Sequence, residues 1–227
     1  IEIIYKDAQG DAGNVTTIVN QFVGDGVDYI IPIATGPAQT AAAATKTIPI
    51  VFAAISYPVD AGLVTANDKT DGNVTGVSDA IPVEDIFELA KELTPGVQTF
   101  GFIYNAGESN SISNIERARA YCDANGIQYV EATIAGTSDL LQAAQSLVGK
   151  VDAIFVPNDN TTASAMGTLA NEANKAGIPV YTGADSMVID GGFATVGIDY
   201  TILGKQVARM VKRLMDGQTI AENPVEV

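Results

Sequence analysis

Short, almost wholly apolar segments recur along the chain, and each is followed by a polar turn and then a helix-like segment. Examples are Tyr29–Ala34, Pro49–Ala54, Phe100–Tyr104 and Asp152–Val156. A strand that is apolar at nearly every position is buried on both faces, as happens when helices cover both sides of a parallel sheet. The sequence therefore predicts an α/β fold built on parallel strands, with a first strand at Glu2–Tyr5.

The strand–helix units are too many for one doubly wound domain with helices this short. The pattern starts afresh near Ile81, and 227 residues, 47% of them hydrophobic, are enough for two cores. Polar segments at Ser78–Pro82 and Gly197–Tyr200 are the predicted hinges. We expect lobe 1 to comprise residues 1–79 and 199–220, and lobe 2 to comprise residues 80–198 and 221–227.

Polar side chains follow the predicted strands at their carboxyl ends. The strand ending at Val156, for example, is followed by Asn158, Asp159 and Asn160 and then by a helix. Small ligands bind at this edge of open parallel sheets, where helix N–H groups also point. Hydroxyl, amide and carboxylate groups with few cations suit a small polar or zwitterionic solute. The predicted ligand-binding residues are Thr35, Ser56, Tyr57, Ser78, Asn105, Glu108, Asn110, Asn158, Asp159, Asn160 and Asp185.

The same residue types also have structural uses, which stay open at this point. Asn160 is also placed to cap a helix, Asp185 to form a turn, and Glu108 to lie on a solvated rim. Tyr57 also suits core packing or a contact between lobes. Acid–base chemistry by the carboxylates of Asp159 and Asp185 is a further alternative that nothing in the pattern favours over binding.

Composition and motifs argue against several functional classes. A net charge of −15, from 12 Lys and Arg against 27 Asp and Glu, disfavours nucleic acid as a partner. The chain has no histidine, which removes His-based triads and the commonest metal ligand. Neither GxxxxGK[ST] nor GxGxxG occurs, and NDNTTASAMG lacks the acidic spacing of a calcium loop. We expect no catalytic residue, no metal and no cofactor.

The chain opens at IEIIYKDAQGD, without a Met, a signal peptide or a lipid-attachment cysteine. It has no apolar run of the roughly 18 residues that a membrane span requires. We expect a mature or trimmed form whose targeting segment lies outside this sequence. The single cysteine, Cys122, shares a helix face with Ile115 and Ala118 and is predicted to be a core thiol.

Five segments carry a family resemblance: IPIVFAAISYPVDAGLV, GNVTGVSDAIPVE, FIYNAGESNS, VDAIFVPNDNTTAS and VGIDYTILGKQVARM. In this order they resemble the ABC-transporter substrate-binding proteins of the tryptophan/tyrosine-type uptake family, and the resemblance covers essentially the whole chain. It implies two Rossmann-like lobes with parallel sheets in a Venus-flytrap architecture, the type I periplasmic binding protein fold, which closes by hinge motion. It also implies a further strand and helix before IEIIYK, which are missing from this chain.

The resemblance also implies site residues. FAAISYPV places Ser56 and Tyr57 at the ligand, with Tyr57 standing where many relatives have Asp. The other implied contacts are Asn105, Glu108 and Asn110 in a YNPGEANS-like turn, Asn158, Asp159 and Asn160 in a PTDN-like turn, and Asp185 in the next turn.

The function implied by the resemblance is capture of a small amino-acid-like ligand, with an aromatic amino acid preferred, in the cleft between the lobes. The protein would act as a monomer without enzymatic activity, in the periplasm or as a cell-surface lipoprotein, and deliver the ligand to an ABC permease in the membrane.

The alternatives are the effector-binding core of a transcriptional regulator, which requires an N-terminal DNA-binding unit, and a sugar-binding ABC component. The sugar reading is weaker because the chain has no Trp and few aromatic residues at the strand ends. An enzyme on the same scaffold is the last alternative.

Overall fold

The computed structural model describes residues 1–70 and 72–227. Its strands are β1 (Ile50–Ala53), β2 (Val74–Val77), β3 (Thr99–Asn105), β4 (Gln128–Ile134), β5 (Ala153–Val156) and β6 (Val180–Thr182). Its helices are α1 (Ala12–Asp25), α2 (Thr35–Ala44), α3 (Val83–Leu93), α4 (Ser109–Asn125), α5 (Leu140–Leu147), α6 (Asn160–Ala163), α7 (Met166–Ala176), α8 (Asp185–Ile189) and α9 (Tyr200–Met215). Short 3₁₀ turns lie at Thr137–Asp139 and Ile220–Glu222.

The residues form two compact units, and each is described by itself. Unit 1 comprises Ile1–Ala80 and Tyr200–Val227, and unit 2 comprises Ile81–Asp199. The expected placement of residues 221–227 in lobe 2 is wrong. Val225 is buried in the core of unit 1, and the backbone N–H of Glu226 donates to the carbonyl of Gly76 at 3.1 Å. These last residues belong to unit 1 because their backbone groups continue the sheet beside β2.

The sheet of unit 1 is centred on β1 and β2, which pair in parallel. Isolated parallel bridges continue it on both sides, from Ile30 and Ile33 to β1 and from Glu226 to β2. Phe52 of β1 is buried in the cluster that includes residues of α1 and α2. Thr75 of β2 instead faces α9, where its hydroxyl lies 3.8 Å from the sulfur of Met210. Helices therefore cover both faces, as the apolar strands predict.

The strand predicted at Glu2–Tyr5 does not form. Ile3 and Tyr5 are 86% and 76% exposed, and the described backbone hydrogen bonds include none from this segment. An extended segment becomes a strand only when a neighbouring strand satisfies its backbone groups. The apolar composition of this segment therefore predicted a strand that does not form.

Unit 2 is built on a four-stranded parallel sheet in the order β4-β3-β5-β6. On one face, Phe100 and Phe102 of β3 pack in a cluster with Phe87 of α3. On the other face, Gly101 approaches Leu147 of α5. Strands covered on both sides and paired in parallel confirm the predicted α/β architecture for this unit.

The strand order of unit 2 reverses between β3 and β5. From β3 the chain first adds β4 on one side and then returns to place β5 and β6 on the other side. In open α/β sheets, ligands bind outside the carboxyl ends of the strands at such a topological switch point. Asn105, which ends β3, and the residues that follow Val156 of β5 lie at this edge.

Candidate functional site

Two turns meet at the switch point of unit 2. The β3–α4 turn runs from Asn105 to Glu108, and the β5–α6 turn runs from Pro157 to Asp159. The backbone N–H of Asn105 donates to Oδ2 of Asp159 at 2.7 Å, and Nδ2 of Asn105 donates to Oγ1 of Thr161 at 2.8 Å. The turns are thus joined by direct hydrogen bonds at the edge of the sheet that the fold favours for a ligand.

Glu108 connects the β3–α4 turn to the first residues of α6. Its Oε2 accepts hydrogen bonds from N and Nδ2 of Asn160, at 2.9 and 2.6 Å. Its Oε1 accepts from N and Oγ1 of Thr161, at 2.9 and 2.7 Å. A carboxylate has about four lone-pair sites, so these donors use most of its accepting capacity.

Asp159 connects the β5–α6 turn back to β3 and α4. It is 0% exposed, and its Oδ2 accepts from the backbone N–H of Asn105 and from Oγ of Ser111, both at 2.7 Å. Its Oδ1 accepts from the backbone N–H of Thr162 at 2.7 Å and caps α6. Burial raises the pKa of the Asp159 carboxyl above its ordinary value, and the charge of Glu108 raises it further.

Asn110 and Asn158 are buried beside this pair. Nδ2 of Asn110 donates to the backbone carbonyl of Asn158 at 3.0 Å. Oδ1 of Asn158 accepts from Nδ2 of Asn114 at 2.7 Å. Both predicted residues therefore help to fix the β5–α6 turn on α4, in addition to any contact with a ligand.

Asn160 and Asp185 are the predicted residues of unit 2 that lie exposed. Although the amide nitrogen of Asn160 donates to Glu108, its Oδ1 accepts no described hydrogen bond. Asp185 begins α8, where its Oδ1 accepts from the backbone N–H of Ser186 at 2.7 Å, and no described hydrogen bond joins it to the two turns.

In unit 1, Ser56 and Ser78 lie in one hydrogen-bonded cluster after β1 and β2. The hydroxyl of Ser56 donates to Asp79 at 2.9 Å, and the hydroxyl of Ser78 donates to the backbone carbonyl of Ser56 at 3.0 Å. The hydroxyl of Tyr200 lies 3.4 Å from the other oxygen of Asp79. The buried carboxylate of Asp79 thus orients the hydroxyl of Ser56, and the carbonyl of Ser56 accepts from Ser78 in turn.

Thr35 and Tyr57 are the other two predicted residues of unit 1, and both occupy strand-end positions. Thr35 is 4% exposed and begins α2, and Tyr57 is partly exposed. The residue before Thr35, Ala34, has φ 75° and ψ 161°, a conformation that is strained for any residue other than glycine. Such strain is concentrated at functional sites, and here it sits at the carboxyl end of the strand-like segment 30–33.

The structure therefore brings together six predicted residues in unit 2 and two in unit 1. The six are Asn105, Glu108, Asn110, Asn158, Asp159 and Asn160, and the two are Ser56 and Ser78. Sequence reasoning left Asp79, Ser111 and Thr161 off the predicted site, although all three hydrogen bond to predicted residues. All three lie in or shortly after a polar turn that follows a strand, and this position was the sequence feature that could have included them.

Among the described residues, no group of three or more Asp, Glu or Cys side chains is arranged to hold a metal ion. Nor does any described helix combine the length and apolarity needed to cross a membrane.

Comparison with known proteins gives close matches. The chain is 38% identical over 225 residues to a tyrosine-binding protein of Clostridioides difficile (strain R20291), covering 99% of this chain and 65% of that protein. It therefore spans just under two thirds of that relative's length. A solved conserved domain protein from Vibrio cholerae matches at 41% identity with a TM-score of 0.97, covering 100% of this chain and 76% of that one. The solved ABC domain in complex with L-Trp from Streptococcus pneumoniae matches at 38% identity with a TM-score of 0.96, covering 100% and 77%.

Transcription regulators match at 12 to 17% identity, a level that shows a shared fold alone. The family comparison is more specific, since one family model matches residues 1–227. The chain belongs to the family of ABC transporter substrate binding proteins.

Proposed function

We propose that the whole protein is the extracytoplasmic solute-binding component of an ABC importer, which captures an aromatic amino acid and presents it to the membrane permease. The observation that carries this proposal is the 38% identity to a tyrosine-binding protein across 99% of the chain. The L-Trp complex of a second relative at 38% identity supports the same ligand class.

The chemistry of unit 2 is compatible with a zwitterionic solute. Asn160 is exposed, and its Oδ1, which accepts no described hydrogen bond, is an acceptor for a ligand ammonium group; Asn105, which is partly exposed, lies in the adjoining turn. We propose Asn105 and Asn160 as solute contacts. Nearby carboxylates favour a cationic group at this edge over an anionic one.

Seven of the nine other predicted residues, all except Glu108 and Asp159, keep their status as proposed contacts. In unit 1 they are Thr35, Ser56, Tyr57 and Ser78, and in unit 2 they are Asn110, Asn158 and Asp185. If Tyr57 contacts the solute, its ring offers a surface for stacking on an aromatic side chain.

Membership of a substrate-binding family supports capture and release without chemical change of the solute. We propose that the protein acts as a monomer outside the cytoplasm, either in a periplasm or tethered to the cell surface. A sugar-binding ABC component is the competing proposal, and it predicts a different ligand.

A thermal-shift screen tests the proposed ligand class. L-tyrosine or L-tryptophan at a hundred times its Kd should add about 2.7 kcal/mol to stability and raise the Tm by roughly 5–11 °C. N-acetyl-L-tyrosine, which lacks the ammonium group, should give a much smaller shift. A sugar that raises the Tm while every aromatic amino acid leaves it unchanged would refute the proposal.

A pair of variants tests the contact by Asn160. Asn160→Ala should weaken binding of L-tyrosine by about tenfold, which corresponds to one lost hydrogen bond to a charged group. Asn125→Ala is the matched control, because Asn125 is an exposed asparagine at the far end of α4. Equal affinities for the two variants would remove Asn160 from the site.

A further inference from the structure

Glu108 and Asp159 were both predicted as ligand contacts, but their carboxylates are already occupied. Each oxygen of Glu108 accepts two hydrogen bonds from residues of α6. Asp159 is 0% exposed and accepts from Asn105, Ser111 and Thr162. A solute donor would have to displace these partners, so direct contact is a poor explanation of why the two acids lie here.

The two carboxylates connect the same pair of turns in opposite directions. Glu108 lies at the end of the β3–α4 turn and accepts from the residues that follow the β5–α6 turn. Asp159 lies in the β5–α6 turn and accepts from Asn105 in the β3–α4 turn. We call Glu108 and Asp159 the carboxylate clamp. Loss of Glu108 would remove the hydrogen bonds that the β3–α4 turn accepts from α6, and loss of Asp159 would remove the one that the backbone N–H of Asn105 donates to the β5–α6 turn.

The helix held by the carboxylate clamp is too short to be stable by itself. α6 spans only Asn160–Ala163, and isolated helices need on the order of 12–15 residues to persist in water. The backbone N–H groups of Asn160 and Thr161 bond to Glu108, and that of Thr162 bonds to Asp159. The clamp thus satisfies the amino end of α6 and fixes the backbone from which the Asn160 side chain projects.

We propose that Glu108 and Asp159 are positioning residues, which hold the two turns in their binding geometry before the solute arrives. This inference rests on the proposed function, because it assigns a role within the same solute site. Ordering the turns in advance lowers the entropy cost of binding and so raises affinity without any contact to the solute.

The test combines amide exchange without solute and affinity with solute. Glu108→Ala should speed hydrogen exchange at the amides of Asn160 and Thr161 by at least about tenfold in the solute-free protein. It should also weaken binding of L-tyrosine by at least about tenfold, measured by titration calorimetry. Glu108→Gln, which retains one carbonyl acceptor, should give intermediate values and serves in place of the alanine variant if that fails to fold.

Glu222→Ala is the matched control. Glu222 is an exposed glutamate that accepts from N and Oγ1 of Thr219, at 2.7 and 2.8 Å, in the 3₁₀ turn Ile220–Glu222 of unit 1. The Glu222→Ala substitution removes the same kind of carboxylate cap, but outside the proposed site. This variant should keep the wild-type affinity for L-tyrosine and the wild-type exchange rates in α6.

The outcomes separate the inference from the proposed function. If the wild-type protein binds no aromatic amino acid, the proposed function fails whatever the variants do. If it binds L-tyrosine and the Glu108 variants bind equally well, the positioning role is overturned. If affinity falls while exchange in α6 stays at the wild-type rate, Glu108 is a direct contact and the positioning role is overturned as well.

Discussion

A glycine next to the proposed site offers a sharp test of its geometry. Gly183 follows β6, and a Cβ at this position would lie 2.5 Å from the backbone N of Asn158 and 2.8 Å from the backbone C of Pro157. Both atoms belong to the β5–α6 turn, and backbone cannot rotate aside as a flexible side chain can. Ordinary contact begins at 3.4 Å, so Gly183→Ala must displace this turn by about 0.9 Å.

The expected cost follows from overpacking. Forcing an extra methyl group into a packed region costs about 1–3 kcal/mol, and the reduced freedom of the unfolded chain offsets about 0.4–1 kcal/mol of that. Taking the middle of each range, Gly183→Ala should lower the free energy of unfolding by about 1.3 kcal/mol and the Tm by roughly 3–5 °C. Displacement of Asn158 and its neighbours should also weaken binding of L-tyrosine by about tenfold.

Gly101→Ala is the matched control within the same sheet. A Cβ at Gly101 would lie 2.6 Å from Cδ1 of Leu147, the end of a flexible side chain, and its next neighbours lie at 3.4 Å. Leu147 can change its rotamer, so this variant should lose less stability and keep its affinity. Urea denaturation and titration calorimetry measure both quantities. A Gly183→Ala protein that matched wild type in stability and affinity would refute the packing described for the β5–α6 turn.

Three further results are expected from unit 2. The hydroxyl of Thr162 is buried without a partner among the described residues, so Thr162→Val should raise the free energy of unfolding by about 1 kcal/mol in urea denaturation. Hydrogen bonding from Arg119 lowers the pKa of Glu131 below its ordinary value. Glu131→Gln should therefore lower the free energy of unfolding by about 0.5–1 kcal/mol at neutral pH. The difference from wild type should disappear as the pH falls through the lowered pKa of Glu131 in the folded protein. A pH-independent difference would contradict this. Burial raises the pKa of Cys122 to about 12, so a thiol reagent at neutral pH should label it only after unfolding.

Periodicity and strand composition predicted the architecture of the sheets well. Phe100–Tyr104 is apolar throughout because Phe100 and Phe102 face one helical layer while Gly101 faces the other, and that burial leaves a direct trace in the sequence. No comparable pattern in the sequence assigned residues 221–227 to unit 1. Val225 and Glu226 join unit 1 through a few backbone hydrogen bonds, which depend on tertiary position rather than on residue type.

The sequence predicted the polar residues of the candidate site but not their hydrogen-bond partners. Polar residues after β3 and β5 were expected at one edge of the sheet, and their turns do meet there, because parallel strands bring their carboxyl ends together. The sequence could not separate Glu108 and Asp159, whose carboxylates bond across the two turns, from Asn160, an exposed residue whose amide oxygen accepts no described hydrogen bond. Helix caps and solute contacts use the same amide and carboxylate groups, so only the three-dimensional hydrogen bonds distinguish them.

The discontinuity of unit 1 has a consequence for the order in which the two cores can be completed. Unit 2 is one uninterrupted segment, Ile81–Asp199, and all its strands and helices are available once that segment has emerged where the protein folds, which is outside the cytoplasm for the proposed function. Unit 1 contains the earlier residues, yet its core still lacks α9 and Val225 at that time. The face of β1 and β2 that α9 covers is therefore exposed while unit 2 folds. A chaperone at the site of folding should bind this first segment until α9 and the last residues of the sheet have emerged.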